Sequence, residues 1–325
     1  MRRFGTKRSA IVSMGVMSVG LFVCAFMPSL LTLAFARIVT GAAAGVNLLA
    51  LVALVLAAVP IERRGAASGW LFGGLGAGIV LCGIGAPFAD GPNAWRIAHV
   101  VIALFTAMVT LGLRRVSDAG SPAKNAARFD IRAILDPRRM LFLVVAYAGF
   151  GFGYISYATF AGALLRERAA THVQIGIAWS AFGITAIGGA LVTGALLSSR
   201  LGRYSLALIS LCAGSGGLIT AYGGAPGIIV GAALVGIGLA ATPGVASALA
   251  RARDSTATYP AAFAAMTAIF GVGQFLGPIA AGATAHAYGL VAVPVLSACA
   301  YLGGCAIATL DASIGGAELR RRSYS

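Results

Sequence analysis

Ten runs of about twenty apolar residues leave a chain of this kind one architecture. They fall near residues 9–27, 30–59, 65–89, 95–113, 140–165, 172–198, 203–222, 226–250, 258–285 and 289–311. A helix of about 20 residues crosses the hydrocarbon core of a bilayer and satisfies its own backbone polar groups on the way. A water-soluble fold fails on composition: 59% of the 325 residues are hydrophobic and only 10% are charged, where soluble domains carry about 25% charged residues. The sequence therefore predicts an all-α integral membrane protein with ten transmembrane helices. The run at 9–27 is too long for a secretory h-region and has no small-residue cleavage pattern after it, so it reads as the first span.

Charge placement sets the expected orientation. The net charge of +15 would suit nucleic acid only if the basic residues clustered on one soluble face. They sit instead in the gaps between spans, so no nucleic-acid partner is expected. Twenty lysines and arginines lie on one side of the alternating spans, and three, Arg96, Arg166 and Arg168, on the other, with Arg37 inside a span. Positive loops stay cytoplasmic, which predicts a multi-pass protein of the plasma (inner) membrane with both termini in the cytoplasm. The five cysteines lie in apolar runs without a C-x-x-C pair, and no histidine stands at ligand spacing. No disulfide frame, metal site or cofactor is expected.

The one long polar segment, 114–139, divides the spans four and six. The expected domains are a partial bundle at 1–113, a cytoplasmic loop at 114–139, and a six-helix bundle at 140–325 with a short basic tail. Self-similarity crosses that loop. Gly5 and Gly202 sit in matching basic turns 197 residues apart, Gly41 and Gly238 repeat the same offset, and Gly76-x-Gly78 matches Gly271-x-Gly273 at 195. Such repeats mark folds built from two related halves. The repeat pairs the first four spans with the last four, leaving the spans at 140–165 and 172–198 without counterparts. Two further spans encoded ahead of Met1 are the corresponding expectation.

These features resemble the major facilitator superfamily, whose twelve helices form two six-helix halves joined by a long cytoplasmic loop. Arg3-x-Gly5-x-Lys7-Arg8 is similar to the basic motif between the second and third helices of that family. Arg200-x-Gly202-Arg203 is similar to its copy in the other half, although neither turn has the usual acidic residue. Arg37 followed by Gly41 resembles the arginine–glycine motif of the fourth helix. Gly273-x-x-x-Gly277-Pro278 resembles a pattern associated with exporters, here placed in the second half rather than the first. ERRGAASGWLFGG at 62–74 and GFGYISYATF at 151–160 resemble the YbfB/YjiJ-like branch. The resemblance implies a truncated major-facilitator-type (4 + 6) two-bundle fold lacking the first two helices. It further implies a monomer working in the lipid bilayer, moving a small-molecule solute with a proton as candidate coupling ion.

Arg37 is the leading site candidate, because a charge within a span usually faces the bundle interior or a watery cavity. The bland reading is a side chain snorkelling to the interface. No carboxylate is visible inside the spans to serve as its partner. Tyr154, Tyr157 and Thr159 belong to the span that lines the cavity in the resembled family, and tyrosine can both pack against a solute and orient it. Asn47, Thr242 and Gln274 are further cavity candidates, although polar groups also tie membrane helices together. Arg3, Gly5, Lys7, Arg8, Gly41, Arg200, Gly202, Arg203, Gly277 and Pro278 are the candidates for conformational gating. Trp95, Arg96, His99 and His286 read as structural residues near helix ends. Secondary active transport by alternating access is the expected function. A non-transporting truncated membrane protein, or a partner-binding remnant, is the alternative. A polytopic membrane enzyme would need a nucleophile, base or metal constellation, and no catalytic set is visible.

Overall fold

The computed structural model describes residues 5–27, 29–60, 63–88, 91–116, 140–253 and 259–323. Within them run ten α-helices: α1 (Thr6–Cys24), α2 (Leu30–Ala58), α3 (Arg64–Gly85), α4 (Ala94–Leu113), α5 (Phe142–Glu167), α6 (His172–Ser198), α7 (Ser205–Tyr222), α8 (Gly224–Arg253), α9 (Tyr259–Tyr288) and α10 (Ala292–Ser323). Each contains a stretch long and apolar enough to cross a membrane. The chain is an all-helical multi-pass membrane protein, as the apolar runs predict.

Local chemistry places the ends. α1 begins at Thr6 rather than at residue 9 because Gly5 precedes it with φ 73°, a conformation that costs glycine little and other residues more. Ser29 and Thr171 open α2 and α6 with reciprocal capping boxes to Thr32 and Gln174, satisfying donors that a helix start leaves unpaired. Pro278 lies inside α9. Having no N–H, it leaves the carbonyl four residues earlier, that of Gln274, without its helical donor. α10 continues past the apolar run to Ser323.

Contacts divide the helices into two units. The first comprises the described residues of Met1–Leu71 and Phe88–Ala126; the second comprises those of Phe72–Pro87 and Ala127–Ser325, so the division runs inside α3. In the first unit α1 packs against both α2 and α4. In the second, α7 packs in the same way against α8 and α10, while α5 lies on α9, α10 and α8, and α6 lies on α8. The α1–α2–α4 and α7–α8–α10 arrangements match the helix pairing that the 197-residue repeat predicts. Phe150, Tyr157, Phe182 and Tyr301 fill the core of the second unit.

The later turns of α3 belong to that second unit and meet α6 through two glycine pairs. A Cβ built on Gly183 would sit 2.5 Å from the Gly76 carbonyl oxygen, and one on Gly176 would sit 2.6 Å from that of Gly83. Backbones this close leave no room for a side chain, which is how small residues bring membrane helices together.

Candidate functional site

Each unit carries its own polar cluster. In the first, the side chain of Arg37 leaves α2 and its Nη2 donates to Nε2 of His99 on α4 at 3.0 Å. The other ring nitrogen of His99, Nδ1, lies 2.7 Å from the carbonyl oxygen of Trp95. A carbonyl only accepts, so Nδ1 carries the proton and Nε2 offers its lone pair to the guanidinium. These two partners select one tautomer of the ring. The imidazole also meets the Trp95 ring edge-on at 5.7 Å between centroids, and Arg96 lies over that indole at 4.6 Å while donating to the Ala25 carbonyl at 2.7 Å. Asn47, one face away on α2, accepts from the Ser13 hydroxyl at 3.4 Å.

In the second unit, Gln274 of α9 donates its amide to the Tyr154 hydroxyl of α5. Phe270, one turn earlier on α9, stacks on Tyr147 at 4.3 Å and lies 6.1 Å from the Tyr154 ring. This gives an amide and a phenol framed by aromatic faces, able to hydrogen-bond one end of a solute and pack against another.

The remaining candidates scatter. Tyr157 points into the core, where its hydroxyl pairs with that of Thr220 at 2.9 Å and its ring stacks near Phe182. Thr242 is fully buried, and its hydroxyl has no partner among the described residues. The exposed Thr159 returns its hydroxyl to the Ile155 carbonyl of its own helix.

The gating candidates lie in varied surroundings. Lys7 donates to the carbonyl of Arg114 at 2.9 Å, closing the negative end of α4. Gly202 is buried against the Leu197 carbonyl, and Arg203 lies over the Tyr204 ring at 4.8 Å. Gly277 sets α9 against α5, where a Cβ would come 2.7 Å from the Phe152 carbonyl oxygen. Arg8 and Arg200 are exposed near helix ends. Arg3 lies outside the described residues.

Two residues stand out that the sequence reading passed over. His99, read as structural, is the hydrogen-bond partner of Arg37; the available signal was that α2 and α4 run in the same direction, with Arg37 and His99 at similar distances from their helix starts. Asp311 corrects the expectation that no acid lies inside the spans: it is a buried carboxylate within α10, at the end of the apolar run, bonded in a fork to Arg253 at 2.7 and 2.6 Å. It serves α8, not Arg37. No group of three His, Cys, Asp or Glu side chains among the described residues is placed to hold a metal ion.

A family model described as "Uncharacterised MFS-type transporter YbfB" matches residues 2–310. The chain belongs to that family. It is therefore a membrane transporter of the major facilitator superfamily, and membership implies a small solute as its substrate. No curated protein matches this transporter.

Proposed function

We propose that this transporter is a secondary active carrier that moves a small solute by alternating access, without enzymatic chemistry. Its place in this reading is the inner membrane, with both termini cytoplasmic, as the twenty basic residues against three favour. Arg37 is the principal solute contact, with the Tyr154–Gln274 pair as a second contact point. The observation that carries the reading is the company Arg37 keeps. It is a cation in the body of an apolar helix, its hydrogen-bond partner is an imidazole nitrogen, and α1, α2 and α4 carry no carboxylate. A charge kept within a span at a cost of about 2.5–3.5 kcal/mol, or more by other measures, is usually retained for function.

Flux of a panel of labelled small solutes into proteoliposomes tests this. Arg37→Ala should cut transport of the accepted solute at least about tenfold, the order that losing one charged contact implies, with unchanged protein incorporation. Undiminished flux in the variant would remove Arg37 from the transport path.

A further inference from the structure

Phe270 of α9 lies in a notch of α5. A Cβ built on Gly151 would come 2.8 Å from its ring, and the Tyr147 and Tyr154 rings flank it at 4.3 and 6.1 Å between centroids. The Phe270 and Tyr154 planes differ by 15°, so a flat group laid on one runs nearly parallel to the other. Tyr147 is buried, whereas Tyr154, Phe270 and Gln274 are only partly so. The partly exposed end of this stack sets aromatic faces beside a polar pair.

That pair has a definite hydrogen-bonding pattern. With the Gln274 amide donating to the Tyr154 oxygen, the phenol O–H is left to donate and the Gln274 Oε1 is left to accept. Reversing the amide leaves the phenol oxygen as acceptor and Nε2 as donor, so one donor and one acceptor stand side by side in either orientation. Neither side chain makes another hydrogen bond among the described residues. The pair is uncharged, and so are its surroundings on its own two helices. α9 carries no Asp, Glu, Lys or Arg, and α5 none before Arg166, about 18 Å along the helix from Tyr154.

We propose that the Tyr154–Gln274 pair recognises the amide edge of a flat, neutral solute, a ring lactam or an aromatic carboxamide. Such an edge sets a carbonyl acceptor beside an N–H donor in one plane, the complement of the pair, and its ring lies on the Phe270 and Tyr154 faces. A carboxylate only accepts and leaves the acceptor of the pair facing another acceptor. An amidinium only donates and leaves the donor of the pair facing another donor. The same two groups therefore reject ionic heads of either sign, because a buried polar group left mispaired loses more than a paired one gains. This assignment rests on Tyr154 and Gln274 as a solute contact, not on Arg37, and names the solute class they take.

Benzamide, benzoate and benzamidinium share a ring and a planar head, and differ in the donors and acceptors that head presents. Cyclohexanecarboxamide keeps the amide without the flat ring. Equilibrium dialysis of these labelled probes against the full chain in lipid nanodiscs, with empty nanodiscs as blank, measures their binding. Benzamide should bind saturably and at least about tenfold tighter than either ion, the order that one mispaired polar group sets. Cyclohexanecarboxamide should bind several-fold more weakly than benzamide. Gln274→Met keeps the length of the side chain and leaves a lone phenol, which serves each head as donor or acceptor. It should bring the three benzene compounds within about threefold of one another, in protein that unfolds with heat as the parent does. Phe270→Leu should remove the preference for the flat ring and keep that for the amide. No saturable benzamide binding up to about 10 mM overturns the proposal, as does equal binding of the three benzene compounds, or discrimination that survives Gln274→Met. Arg37-dependent flux without benzamide discrimination would refute the solute class and leave the carrier standing. Benzamide discrimination without Arg37-dependent flux would keep the class and remove Arg37 from the path.

Discussion

Gly41 and Gly238 occupy the same place in the repeat and lead different lives. A Cβ on Gly238 of α8 would strike the Phe150 ring of α5 and come within 3.0 Å of Ile209 of α7. A Cβ on Gly41 of α2 meets nothing within 4 Å among the described residues of its unit. The helices around them follow suit: 61% of the most apolar stretch of α8 is buried, against 22% of that of α2. The difference is cover. α8 lies under α5 and α6, and the described residues of the first unit hold no counterpart to either. Equivalent sequence therefore specifies equivalent helices and helix neighbours, while close packing depends on which helices lie on top.

Substitutions can break that comparison. The largest effect should come from the Arg253–Asp311 ion pair of the second unit, which the repeat does not reproduce, since the positions 197 residues before Arg253 and Asp311 hold Leu56 and Arg114. Arg253→Ala leaves the buried carboxylate unpaired and should cost about 3–5 kcal/mol in detergent unfolding, most of it regained in Arg253→Met with Asp311→Leu. A fully stable single variant would mean that the pair contributes nothing. Next comes the glycine pair itself. Gly238→Leu should destabilise by about 3 kcal/mol through overpacking, and Gly41→Leu by less than about 0.5 kcal/mol, as at an open surface. Equal losses at the two sites would show that α2 is covered after all. Smaller still, Tyr157→Phe strands the buried Thr220 hydroxyl and should cost about 1–2 kcal/mol. Ser13→Ala, which gives up a 3.4 Å bond to a half-buried Asn47, should cost about 0.5 kcal/mol. Hydrogen exchange resolved by helix would assign each loss to its unit.

The fold was legible because the bilayer enforces one rule on every span, and apolar length alone meets it. Helix ends needed finer chemistry. The start of α1 depends on the backbone of Gly5, and α10 outruns its apolar stretch. The polar clusters were half legible. A charged or strongly polar side chain in a span draws attention, as Arg37 and Gln274 did, but partners separated by 62 or 120 residues meet only once helices choose their neighbours. Tyr154 and Tyr157 show the limit of helical spacing as a guide. Three positions apart on α5, one joins Gln274 and the other turns into the core toward Thr220.

The bond between Arg37 and His99 also has a consequence for synthesis. The ribosome delivers Arg37 62 residues before its partner, so α2 reaches the membrane with its guanidinium lacking that hydrogen bond and waits for α4. The rest of α2 has to drag that charge in unaided, and its best stretch, with a mean hydropathy of 2.2, is the most apolar of the ten. Its greasiness is ballast for an arginine that arrives early.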